Sequence, residues 1–149
     1  MNQEPEIKLA TEADMASITK LLQANSLPFS DLMTSEITFL VATDGQQLQG
    51  CIGLEAMGEV GLLRSFAVEA AIQNQGIGKI LFDSLIQYAR QIGITDLYLL
   101  TTTAAGYFEK QKFEKISRDQ VPLAIQNTAE FAGICPASAT VMRLSIGMV

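Results

Sequence analysis

Gly61-Leu62-Leu63-Arg64-Ser65-Phe66-Ala67-Val68 is followed by a short loop and then by Gln73-Asn74-Gln75-Gly76-Ile77-Gly78-Lys79. Behind that turn Ile77, Leu81, Leu85, Ala89 and Ile92 recur at near-helical spacing until Gly93, which predicts an amphipathic helix with a glycine stop. The stretch reads as strand, polar turn, helix. The first turn of a helix carries backbone N–H groups without an intrahelical acceptor, and the helix dipole adds partial positive charge there. Gly76 and Gly78 leave the backbone open to close approach, so the turn suits a pyrophosphate. Lys79 is the only cation in it. Two other glycine-loop chemistries fail on spacing. A Walker-type loop needs glycine where Gln73 stands and a hydroxyl where Ile80 stands. A dinucleotide fingerprint needs a third glycine where Leu81 stands. An ordinary tight loop is the plain alternative.

Upstream, residues 37–42, 49–57 and 61–68 read as three strands divided by turn signals at Asp44-Gly45 and Gly58, an antiparallel meander. Before them, Ile7 and Leu9 alternate with polar residues in a short strand. Thr11 with Asp14 is close to a capping box, opening a helix with Met15, Ile18 and Leu22 on one face. Downstream, residues 97–100 read as a short buried strand, 104–110 as a short helix, Phe113 as the approach to another strand, 122–131 as a helical insertion and 139–146 as the last strand. The outline over residues 1–149 is β-α-β-β-β-α-β-α-β without repeat or linker: one α/β domain with a mixed, predominantly antiparallel sheet flanked by helices.

Composition narrows the function. Sixteen acidic residues against 10 basic give a net charge of −6. With no Lys/Arg cluster, nucleic acid is an unfavourable partner, and so is an anionic membrane surface. No apolar run reaches transmembrane length. Residues 1–6 are polar and acidic, unlike a secretory leader, so the cytoplasm is the expected location. The absence of histidine removes imidazole bases and His-ligated metals. Cys51 and Cys135 form no CxxC pair, and no metal is expected.

At this point the chain resembles the GNAT N-acetyltransferases, whose signature Arg/Gln-x-x-Gly-x-Gly/Ala after a strand is matched by Gln73 to Gly78. Three segments are similar, more closely, to the arsenic-resistance branch of that family: residues 61–68, Leu97-Tyr98-Leu99-Leu100-Thr101-Thr102-Thr103-Ala104, and Ala129-Glu130-Phe131 with Cys135-Pro136-Ala137-Ser138-Ala139. The resemblance implies two parallel strands splayed into a V, ending at Val68 and Thr101, with acetyl-CoA entering it as cosubstrate. It implies a CoA site built from Phe66, Ala67, Val68, Gln73, Asn74, Gln75, Gly76, Ile77, Gly78, Lys79, Thr103 and Phe108. The acceptor it implies is the amine of a small molecule, an amino-acid-like toxin or an arsenic-containing analogue among the options.

Amine attack on a thioester needs a base, an oxyanion donor and an acid for the thiolate. A backbone N–H near Val68 suits the oxyanion. The family places a tyrosine in a pattern like Tyr-Glu-Lys-x-Gly-Phe, and this chain departs from it twice, with Phe108 for the Tyr and Lys112 for the Gly. Tyr107 is adjacent, but one helical step is a rotation of about 100°, so either an acid role or plain packing is open. Glu55 is a candidate base at a strand end, weighed against a solvated carboxylate, and Glu130 is the other. Arg64 and Ser65 alternate on their strand and are expected on opposite faces. Arg64 could clamp an acceptor anion or make a surface ion pair. Cys135 reads as a small buried hydrophobe rather than a metalloid ligand. Phe108 in place of tyrosine motivates a second reading, a non-catalytic acyl-CoA-binding or sensor module. A structural domain without cofactor is a third. The apolar content hints at a homodimer without marking an interface.

Overall fold

The N–H of Thr11 donates to the Asp14 carboxylate at 2.8 Å, so the capping box forms. It opens a 3₁₀ turn (Glu12–Asp14) that runs straight into α1 (Met15–Ala24). The computed structural model of the protein describes residues 5–32, 34–45, 47–72, 76–134 and 138–147. Around α1 it sets β1 (Glu6–Leu9), β2 (Thr38–Asp44), β3 (Gln47–Met57), β4 (Val60–Val68), α2 (Ile77–Gln91), β5 (Asp96–Thr101), α3 (Ala105–Lys110), β6 (Glu114–Ile116), α4 (Leu123–Gln126) and β7 (Thr140–Ser145). The seven strands form one sheet in the order β1-β2-β3-β4-β5-β7-β6. Every neighbouring pair is antiparallel except β4 and β5.

Both faces of the sheet are covered, which is why its central strands are apolar at successive positions. On one face Ile77, Leu81, Phe82, Leu85 and Ala89 of α2 pack on Leu40, Ile52, Leu54 and Leu63. On the other, Ile18, Leu21 and Leu22 of α1 meet Phe39, Val41, Cys51 and Ala67, while Ile125 of α4 meets Leu62, Tyr98 and Val141. Each such aliphatic side chain contributes about 1.5–3 kcal/mol when fully buried. Gly50 lets α2 sit close, since a Cβ there would come within 2.8 Å of Leu81.

Two sequence expectations need correction. The insertion at 122–131 is not one helix: α4 ends at Gln126 and a π-helical turn spans Glu130–Ile134. The Thr128 hydroxyl donates to the Ile125 carbonyl at 2.7 Å and accepts from the Phe131 N–H at 3.3 Å, competing with the helical ladder. Strict alternation also fails along β4. Gly53 pairs with Arg64, but Cys51 pairs with Ala67, so β4 carries one extra residue, a bulge. Ser65 sits there at φ 56°. The bulge shifts the side-chain phase: Leu63, Phe66 and Val68 pack toward α2, and Ala67 toward α1.

Candidate active site

β4 and β5 pair in parallel at only three positions, ending at Leu62 and Tyr98. Beyond that point β4 continues to Val68 alongside β3 alone, and β5 continues to Thr101 alongside β7. The sheet therefore opens into the expected V. A cavity of about 890 Å³ passes through it, lined by β4 from Leu63 to Val68 and by the chain from Leu99 to Ala104. From the α2–α3 side it is closed by Gly78, Tyr107 and Phe108, and from the α1–α4 side by the loop after α1 and by Glu130. Glu69 donates its N–H to Gln49 across the β3 side. In an antiparallel ladder successive amides face opposite edges, so the Val68 amide points away from β3.

The head of α2 lies beside this opening. Gly76 adopts φ 88°, a left-handed conformation suited to glycine. The helix ladder starts with the Ile80 N–H donating to the Gly76 carbonyl, which leaves the amides of Ile77, Gly78 and Lys79 without intrahelical acceptors. A Cβ at Gly78 would meet Phe66 and Val68 at 3.5 and 3.6 Å, ordinary contact. The protein's own packing does not demand glycine there, whereas a ligand pressed against the backbone would. Lys79 is engaged with Asp83 at 3.0 Å and Gln111 at 2.9 Å. Gln73, Asn74, Gln75 and Cys135 lie outside the described residues.

Opposite this turn stands a buried ionic cluster. Arg64 is only 2% exposed. Its Nη1 and Nη2 donate to both oxygens of Asp31 at 2.6 and 2.7 Å, Nη1 also to Glu55 at 3.0 Å, and Nε lies 3.1 Å from both Glu130 and the Ser65 hydroxyl. Burial alone would lower the arginine's pKa, but hydrogen bonding to Asp31 and the charges around it raise it. Burial likewise pushes Asp31 up, and the hydrogen bonds from Arg64 and Ser35 outweigh it, holding the carboxyl below its ordinary 3.8. Sequence reasoning singled out Arg64, Ser65, Glu55 and Glu130 separately. The fold brings them together, with Arg64 and Ser65 in contact instead of on opposite faces, because the bulge turns Ser65 back. Glu55 is buried, not solvated, and the Arg64 pair is no surface pair. Asp31 was missed: a lone acid in a loop carries no signal until the loop folds over β4. Cys51 is a buried thiol, pushed up to about 12 by burial, that donates to the Ser65 carbonyl at 3.3 Å.

On the α3 side, Phe108 is buried and packs on Phe113 and Phe66. Tyr107 is 37% exposed, stands edge-on to Phe66 and still lines the cavity. Its hydroxyl is raised above the ordinary 10.0 by burial and by Asp83. The short helix thus presents both rings to the cavity. The Thr101 hydroxyl accepts the Ala104 N–H in the turn that leads into α3, and Thr103 lines the cavity. Lys112 takes φ 78°, the left-handed conformation that explains the family's glycine at this place.

The pattern of the acetyltransferase (GNAT) family matches residues 9–113. An amino-acid acetyltransferase of Neisseria meningitidis is 31% identical over 86 residues, 56% of this chain. The chain spans 20% of that relative's length. N-acetylglutamate synthase of Neisseria gonorrhoeae, complexed with coenzyme A and N-acetyl-glutamate, superposes with a TM-score of 0.79 at 24% identity, covering 98% of this chain and 36% of that one. A Mycobacterium tuberculosis protein in complex with CoA gives 0.78 at 23% identity, covering 95% of this chain and 99% of that one. At these identities the likeness speaks for the fold. The family pattern takes in most of the sequence, β4, α2 and β5 included, and the chain belongs to the GNAT family of acetyltransferases.

Proposed function

We propose that the chain transfers the acetyl group of acetyl-CoA to the amine of a small molecule. One observation carries this: the opening between β4 and β5 leads from Gly78 at the head of α2 to a buried carboxylate, Glu130, through a single cavity. The residues present fit a thioester carried on a pyrophosphate. The amides of Ile77 to Lys79 would hold the phosphates, with Gln73 to Gln75 completing the turn. Phe66, Ala67, Val68, Thr103 and Phe108 would line the acyl-pantetheine arm. Acetyl-CoA, when bound, supplies the activated acyl group. The Val68 amide is the donor for the developing oxyanion. Glu130 takes the amine proton, with Glu55 behind it across the Arg64 guanidinium, and Tyr107, neutral at working pH, gives a proton to the departing thiolate.

The acceptor panel follows from two sources. The curated relative is named for amino acids, and the branch resemblance adds amino-acid-like arsenicals. Among the described residues no helix is long and apolar enough to cross a membrane. A homodimer is tested by the mass of the protein in solution.

Thermal unfolding with acetyl-CoA, CoA and ATP is the first test. At about 100 times Kd, one-site binding adds roughly 2.7 kcal/mol. Stabilisation by acetyl-CoA and not by ATP, with amine-dependent thiol release, is the expected result. Stabilisation without release by any amine would replace transfer with acyl-CoA sensing. No shift with either CoA species would remove the CoA site itself.

A further inference from the structure

The cavity's charges single out a class of acceptor. The sequence contains 10 Lys and Arg side chains and no His. Among the described residues only Arg64 of these lines the cavity. All three of its guanidinium nitrogens are engaged by protein oxygens, those of Asp31, Glu55, Glu130 and Ser65. The side chain is fully buried behind them. A guanidinium held this way has no fork left for a second carboxylate, which is how arginine otherwise recognises one. The remaining charged group on the wall is Glu130, an anion. Three carboxyl groups surround one guanidinium, so the acceptor end holds more acidic than basic groups inside a low-dielectric wall.

From this charge balance we infer that the acceptor is a primary amine without a free carboxylate, such as an amide, an ester or a simple alkylamine, and not a free amino acid. The inference rests on the acetyl-transfer reading. The ammonium of such an acceptor is drawn toward Glu130. Its first proton passes to the Glu130 carboxylate, and the neutral nitrogen forms the C–N bond and gives up its second proton to water as the C–S bond of acetyl-CoA breaks. The thiolate then takes a proton from Tyr107 or water. A carboxylate on the same acceptor gains no cationic partner on this wall and faces like charge at short range.

The test uses the full chain with saturating acetyl-CoA and three matched acceptors: alanine, alaninamide and ethylamine. Alaninamide is less basic than alanine and ethylamine more basic, so a preference for both cannot come from the fraction of neutral amine. The expected kcat/KM is roughly 10-fold or more above that of alanine for each, the scale of a close like-charge interaction near a protein surface. In Glu130→Gln, read by binding because the base is removed, the difference between the Tm shifts that ethylamine and alanine give the CoA-loaded protein disappears. Equal or better use of alanine by the native chain overturns the inference and leaves acetyl transfer standing. If no amine releases thiol while acetyl-CoA still stabilises the protein, the transfer reading falls. The charge argument is then judged by binding: ethylamine must raise the Tm of the CoA-loaded protein more than alanine does, and the reverse order overturns it.

Discussion

Two regions on either side of the V handle charge in opposite ways. At the head of α2 the chain offers backbone amides, two glycines and one lysine already engaged with Asp83 and Gln111. Among the described residues there, Ile77 alone is deeply buried. Across the V, Arg64 and three carboxylates are packed almost out of reach of water. Backbone dipoles are aligned once the helix exists, so they can receive an anion without any charge having been desolvated in advance. Side-chain charges in the interior need full pairing, because an orphaned one is costly. The first region is therefore suited to binding the cosubstrate, and the second, which includes the Glu130 base, tolerates its buried charges only while they stay paired.

The comparison breaks most visibly at Arg64. Arg64→Met strands three buried carboxylates, and the loss should be about 3–5 kcal/mol, a Tm drop of roughly 6–20 °C by thermal unfolding. The pH dependence has a defined sign. In the native protein Asp31's folded pKa lies below its ordinary value, so its contribution is present above pH 3.8 and lost as pH falls through the folded value. In the variant, unpaired buried carboxylates prefer their protons. The deficit should then be largest near neutrality and shrink toward the ordinary carboxyl range of about 4. A variant as stable as the parent would show the cluster to be dispensable.

Tyr107→Phe comes next. It should lower kcat by roughly 100-fold, the lower end for a general acid, with Tm unchanged because the ring is partly exposed and its packing survives. An unchanged rate would assign thiolate protonation to water. Gly78→Ala sharpens the contrast from the other side. A Cβ fits there at 3.5 Å and alanine favours the helix by up to about 1 kcal/mol, so stability should hold or rise. Acetyl-CoA affinity should fall on the order of tenfold, the equivalent of one weakened hydrogen bond, measured by calorimetry. Both quantities unchanged would mean the α2 turn does not touch the cosubstrate. The smallest effect is expected outside both regions. Lys112→Gly relieves a left-handed backbone and should stabilise by about 1 kcal/mol, without altering Kd or kcat.

Local order was legible in the residues. The capping box at Thr11 and Asp14, the meander broken at Gly45 and Gly58, and the α2 stripe all rest on short-range rules, and all formed. Periodicity lapsed at the end of α2, where Ile92 is 44% exposed, because the helix stops one residue earlier at Gln91. Tyr107 also escaped the helical rule of thumb. A six-residue helix ending against the V lets two successive rings reach one wide cavity.

The sequence by itself determined most of the elements, their order and the start of α2, because each depends on neighbours a few residues apart. Only the tertiary structure decided that Asp31, Glu55, Arg64 and Glu130 meet, that Ser65 breaks the alternation of β4, and that the one arginine on the cavity wall has no hydrogen-bonding fork to offer. Those outcomes depend on contacts between residues as far apart as 64 and 130. The pairing partner of a buried charge is chosen by which chain segments the sheet and helices bring over it, and no local pattern encodes that choice.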